Sequence, residues 1–157
     1  MLSFPRSQAV DVNAWITDAP IDTCDLLRQT GTVEDGAVIL FLGTVRQVNE
    51  GRQVTGIRYE AYREMAEQVL REIAAEAAAR LQSGHINIAH RTGELELGEV
   101  SVAIAVATGH RAEAFEGARY IIEEIKKRLP VWKHEHYADG GREWVKGQIP
   151  PVEAARE

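Results

Sequence analysis

The chain has 157 residues, 45% of them hydrophobic and 27% charged, with a net charge of −6 at neutral pH. That length fits one domain over 1–157, and the composition is that of a globular protein. The acidic balance excludes a general nucleic-acid binder, which needs a basic surface.

No apolar run approaches the ~20 residues of a membrane span. The first residues also lack the basic-then-apolar pattern of a secretory signal. A soluble, cytoplasmic protein is therefore expected, with neither membrane nor nucleic acid as partner. The single cysteine, Cys24, leaves no internal disulfide framework and no multi-cysteine metal site.

Residues 9–16 (AVDVNAWI) alternate as a strand does, and Pro20 and Asp22 open a short helix through Leu26 and Leu27. GAVILFLG (36–43) is a continuous apolar run between glycines, the pattern of a strand buried on both faces. A polar loop with an Asn-Glu-Gly turn follows, then a strand near 54–62. Over 62–82, Tyr62, Met65, Ala66, Val69, Leu70, Ile73, Ala74, Ala77 and Leu81 recur three and four apart, predicting a helix with one apolar stripe.

Gly84 stops that helix, and HINIAH (85–90) reads as a strand. In 99–107, Val100, Val102, Ile104 and Val106 alternate onto one face of another. A second helix over about 112–129 turns Phe115, Ala118, Ile122, Ile125 and Leu129 inward and ends at Pro130. Strands at 131–137 and 143–149 flank the turn Asp139-Gly140-Gly141. Strands interleaved with two substantial helices predict an α+β fold: a mixed or antiparallel sheet packed against two main helices, with a C-terminal hairpin.

Three polar sites lie at element ends. Arg46 follows the 36–43 strand, where a guanidinium either grips an anion through two hydrogen bonds or sits on the surface. His110 and Arg111 precede the second helix, whose free N–H groups and dipole favour an anion. His90-Arg91 is a second such pair, assigned a polar role in packing. Between Lys126 and His134 run four fixed positive charges and no acid. If 131–137 is extended, Val131, Lys133, Glu135 and Tyr137 share one face, and Trp132, His134 and His136 the other. A lysine crowded by cations loses proton affinity and becomes a usable acid, base or nucleophile. The alternative is an ordinary Lys133–Glu135 ion pair beside a lysine that stabilises a helix end. His134 and His136 are only two ligands, too few for zinc, so neither metal nor cofactor is expected.

Five stretches, GAVILFLGTVR (36–46), YEAYREMAE (59–67), HRTGELELGE (90–99), TGHRAEAFEGAR (108–119) and IKKRLPVWKHEHYADGGREWV (125–145), resemble the molybdopterin synthase large-subunit family, in that family's order. The likeness covers a core of 36–145. The N-terminal strand-helix segment 1–35 and the tail 150–157 carry little of it.

The resemblance implies an enzyme that makes the molybdopterin dithiolene from cyclic pyranopterin monophosphate. Its sulfur arrives as a thiocarboxylate on the C-terminal Gly-Gly of a small ubiquitin-like subunit. It further implies a homodimer of large subunits with one small subunit at each end. By the same resemblance Thr44, Val45, Arg46, His110 and Arg111 bind the substrate's anionic group. Lys126 and Lys133 are catalytic and also contact substrate, with His134 and Glu135 beside them. A dimeric small-anion or nucleotide-binding regulatory module, or a scaffold docking an acidic protein, is the competing reading.

Overall fold

The computed structural model describes residues 10–82 and 84–145. In chain order these form β1 (Asp11–Thr17), α1 (Thr23–Arg28), β2 (Ala37–Thr44), β3 (Val48–Asn49), β4 (Arg52–Ala61), α2 (Arg63–Arg80), β5 (His85–Arg91), β6 (Gly93–Glu96), β7 (Val100–Thr108), α3 (Arg111–Arg128), β8 (Val131–Tyr137) and β9 (Arg142–Trp144). The first sheet has the order β1-β5-β7-β2, with β1 parallel to β5 and the other pairs antiparallel. The second joins β3, β4, β8 and β9, with β6 on the free side of β4. The α+β fold, with mixed and antiparallel pairing and a C-terminal hairpin, is as expected.

Both long helices cover one face of the first sheet, with Leu70, Ile73 and Ala77 of α2 and Ala118, Ile121 and Ile125 of α3 meeting Ile86, Ile88, Val102, Ile104 and Val106. Gly117 lets α3 sit close, because a Cβ there would lie 3.3 Å from Val106 Cγ1. On the opposite face, among the described residues, α1 covers the sheet, through Leu26 against Ala103 and Ala105. Asp22 caps α1 by accepting from the Asp25 N–H at 2.9 Å.

Three expectations need correction. The 36–43 run is not buried on both faces. It is β2, an edge strand, and Val38 and Leu42 are 42% and 37% exposed because the single turn-and-a-half of α1 does not reach them. The doubly buried strand is β7, whose alternation of bulky and small residues lets helices pack on one side and α1 on the other. On α3 the buried stripe is Ala114, Gly117, Ala118, Ile121 and Ile125, whereas Phe115 is 58% exposed. Close approach to the sheet selects the small residues, so the helix is rotated from where its largest apolar side chains would put it. At the start of α2, Tyr62 and Met65 are likewise exposed. Of the strand expected at 143–149, only 143–144 are strand, within β9, and 146–149 lie outside the described residues.

Burial of β5 extends to His90, which is 5% exposed. Its Nδ1 lies 3.0 Å from the Arg91 carbonyl oxygen, which can only accept, so Nδ1 carries the hydrogen. Burial pushes the imidazole's pKa down to about 4, against a weaker upward pull from that hydrogen bond. The unfolded chain therefore takes up this proton from about pH 6.5 downward, while the folded chain resists until about 4, and stability falls with pH across that window. In urea titrations between pH 6.5 and 4.5, His90→Phe should lose stability less steeply than wild type, by up to about 1.4 kcal/mol per pH unit. Equal slopes would mean the folded imidazole is already charged. Separately, Leu70→Ala should cost about 2–5 kcal/mol in the same titrations, and Met65→Ala on the exposed side within about 0.5 kcal/mol.

Candidate active site

The site is built where the two sheets meet at the C-terminal end of α3. Helix α3 runs to Arg128, so Lys126 stands in its last turn, and Pro130 redirects the chain into β8. Pairing of β8 with β4 places Lys133 opposite Tyr59 and Glu135 opposite Ile57. Beyond β2, a tight hairpin joins β3 to β4 through Glu50 and Gly51, both in the left-handed region at φ 49° and 79°. That turn holds Asn49 over β8.

Asn49 is the joint of the site. Its Nδ2 donates to both carboxylate oxygens of Glu135 at 3.0 Å, and its Oδ1 accepts from the Arg46 guanidinium at 3.2 Å. Tyr137 donates its hydroxyl to Glu135 Oε2 at 2.8 Å, and Lys133 Nζ stands 3.5 Å from Oε1. Glu135 is only 1% exposed. Burial resists its ionisation, but the donors Asn49 and Tyr137 and the Lys133 charge prevail, so its carboxyl titrates below the usual range. Tyr137 is pushed up to about 12, by burial and by the carboxylate it serves.

Two chambers open here. One, of about 190 Å³, is lined by Thr44, Arg46 and Glu135. The other, of about 130 Å³, reaches inward past His90 to Trp132. They share a wall of Tyr59, Ser101, Val102, Ile122, Lys126 and Lys133. Desolvation, then the charges of Lys133 and Arg46, lower the pKa of Lys126. A cavity with three convergent cations and an amine of weakened basicity can bind a small anion and move protons on it.

Thr44, Arg46, Lys126, Lys133 and Glu135 are thus gathered within one chain, and the other sequence-nominated residues are not. Val45 is 3% exposed among Val54, Ile57 and Leu95, and its N–H is spent on the Glu99 carbonyl at 3.0 Å. His134 lies on the other face of β8, stacked on Trp144 with ring centroids 4.5 Å apart. His110 and Arg111 open α3, so fifteen residues of helix, about 22 Å at the usual rise, part them from Lys126. Sequence reading also missed Asn49, read only as part of a turn, and Tyr59 and Ser101. Their signal is weak: Tyr59 stands in the YEAYREMAE stretch, and only pairing of β4 with β8 reveals its place beside Lys133.

The family model described as MoaE protein matches residues 16–128. The molybdopterin synthase catalytic subunit of Halalkalibacterium halodurans is 41% identical over 134 residues, 85% of each chain. Among solved structures, molybdopterin synthase from Staphylococcus aureus superposes with a TM-score of 0.79 at 36% identity, covering 83% of this chain and 95% of that one. The complex of subunits 1 and 2 of molybdopterin-converting factor from Helicobacter pylori, with a TM-score of 0.67 at 20% identity over 90% of this chain and 96% of that one, shares the fold. Profile, sequence and fold agree, and the chain belongs to the molybdopterin synthase catalytic-subunit family.

Proposed function

We propose that this chain transfers sulfur from the C-terminal thiocarboxylate of a small ubiquitin-like subunit ending in Gly-Gly to cyclic pyranopterin monophosphate, forming the molybdopterin dithiolene. The observation that carries this reading is the wall of Lys126 and Lys133 in a chamber also lined by Arg46 and Glu135. Cys24, the chain's one cysteine, is exposed on α1, across the first sheet from that wall. The sulfur must therefore come from another molecule, as a thiocarboxylate donor supplies it.

Chemistry divides among the side chains. Arg46 binds the phosphate oxygens, its guanidinium aimed by Asn49. Lys126, with its lowered proton affinity, exchanges a proton with the departing oxygen as the cyclic phosphate opens. Lys133, fixed by buried Glu135, faces the incoming thiocarboxylate and balances the negative charge that develops as sulfur attacks carbon.

His110 and Arg111 reach such a site only from a second copy. β2 is an edge strand with exposed Val38 and Leu42, and Phe115 is exposed on the neighbouring α3. A two-fold axis beside β2 runs the partner's α3 in the reverse direction. That brings the N-terminal end of one helix, with the partner's His110 and the partner's Arg111, to the C-terminal end of the other. A homodimer built so buries the apolar edge and completes the phosphate site with two more donors.

With precursor and thiocarboxylated partner supplied, Lys126→Ala and Lys133→Ala should each lower dithiolene formation by at least about a hundredfold, with the dimer intact in size-exclusion chromatography. Near-normal turnover in either would refute the assignment, and failure to capture any small protein ending in Gly-Gly would favour an anion-binding regulatory module instead. Mixing inactive Lys126→Ala and Arg111→Ala chains should restore about a quarter of wild-type activity, since half the dimers then hold one intact site. No recovery on mixing would show that Arg111 does not complete the site of the other chain.

A further inference from the structure

The inner chamber holds a buried histidine that the proposed chemistry does not use. His90 lines the chamber although it is only 5% exposed. Its ring is held on two sides, by Nδ1 donating to the Arg91 carbonyl at 3.0 Å and by Tyr59 meeting it edge-on, with centroids 5.5 Å apart and planes at 77°. With Nδ1 turned to the backbone, Nε2 is the polar atom left to the chamber, and no protein group among the described residues hydrogen-bonds it. A neutral imidazole protonated at Nδ1 can only accept at Nε2.

We propose that His90 is a substrate-reading residue whose Nε2 accepts a hydrogen bond from an N–H group of the heterocycle in the inner chamber, a role that rests on the function proposed above. A ligand that covers this acceptor displaces the water that reaches it, and only a donor on the ligand replaces that hydrogen bond, so such an atom selects for a donor. Phosphate or carboxylate oxygens, being acceptors, cannot satisfy it. The two chambers therefore differ in kind. The outer one, with Arg46, takes the anionic end of the substrate, and the inner one takes an N–H-bearing ring. Lys126 and Lys133 on the shared wall then lie alongside the bonds between those ends.

The groups facing His90 favour its neutral form. Lys126 and Lys127 from α3 and Lys133 from β8 line the same chamber, and Tyr59 from β4 is the remaining titratable neighbour in its wall. Three ammonium groups oppose a fourth positive charge. The acceptor is thus maintained well below the usual histidine range.

Two measurements on the full-length protein test this. In ¹⁵N-histidine spectra of the wild type, the His90 Nε2 resonance should move upfield when the cyclic pyranopterin monophosphate is added. An unmoved resonance at saturation would overturn the proposal. By calorimetry, His90→Phe, which keeps a ring against Tyr59, should bind that precursor about tenfold more weakly or worse. The same variant should bind inorganic phosphate as wild type does. Precursor affinity within about threefold of wild type, or equal losses for precursor and phosphate, would also overturn it. If the wild type binds precursor but converts none with the thiocarboxylated partner, the proposed function fails while these results still decide the role of His90.

Discussion

Arg46, Lys126 and Lys133 converge on one cavity, and like charges stay that close only when something fixed neutralises and spaces them. The Glu135 carboxylate does this. It is buried, ionised, and held by Asn49 and Tyr137 on one side and Lys133 on the other. Removing one member of such a set strands the rest without water or partner. Much of the surrounding architecture serves to keep that carboxylate in place: the β4–β8 pairing aligns it, and the β3–β4 hairpin lowers Asn49 onto it.

The second dependence is on how close α3 lies to the first sheet. Ala114, Gly117 and Ala118 give a thin contact, so the helix axis approaches β7 and delivers Lys126 to the end of the sheet at a fixed height. A bulkier stripe would lift the helix and withdraw the amine from Lys133. Close packing and weakened basicity thus have one origin, since the same approach that buries the helix desolvates the lysine.

Much of this was legible in the chain. The period-two alternation at 100–107 and the three-four spacing at 62–82 identified the central strand and the longest stripe, because burial there is one-sided or strongly periodic. The same logic failed for 36–43 and for Phe115, since a local apolar run does not say whether a neighbouring element arrives to cover it. Lys133 and Glu135 were readable as a same-face pair because strand geometry fixes that relation locally. Asn49 and Tyr59 were not readable as partners of the site, because their nearness depends on long-range pairing between β4 and its neighbours, and the place of His90 depends on pairing of β5 with β7. Spacing along α3 does say that His110 and Arg111 stand a helix length from Lys126, fifteen residues apart on one continuous helix.

The β3–β4 hairpin has a kinetic consequence. A polar segment of this kind is a natural lid, yet here it is tied at Asn49 in two ways: by the ladder to β4 and by the side-chain grip on Glu135. Those ties hold Arg46 and Glu135 together at the mouth of the outer chamber. A small anion approaching it is drawn by the local field at the mouth. That field must act within a chain of net negative charge. Attraction is therefore short-ranged, felt within about a Debye length of the cations, and added salt slows capture chiefly by weakening that last approach.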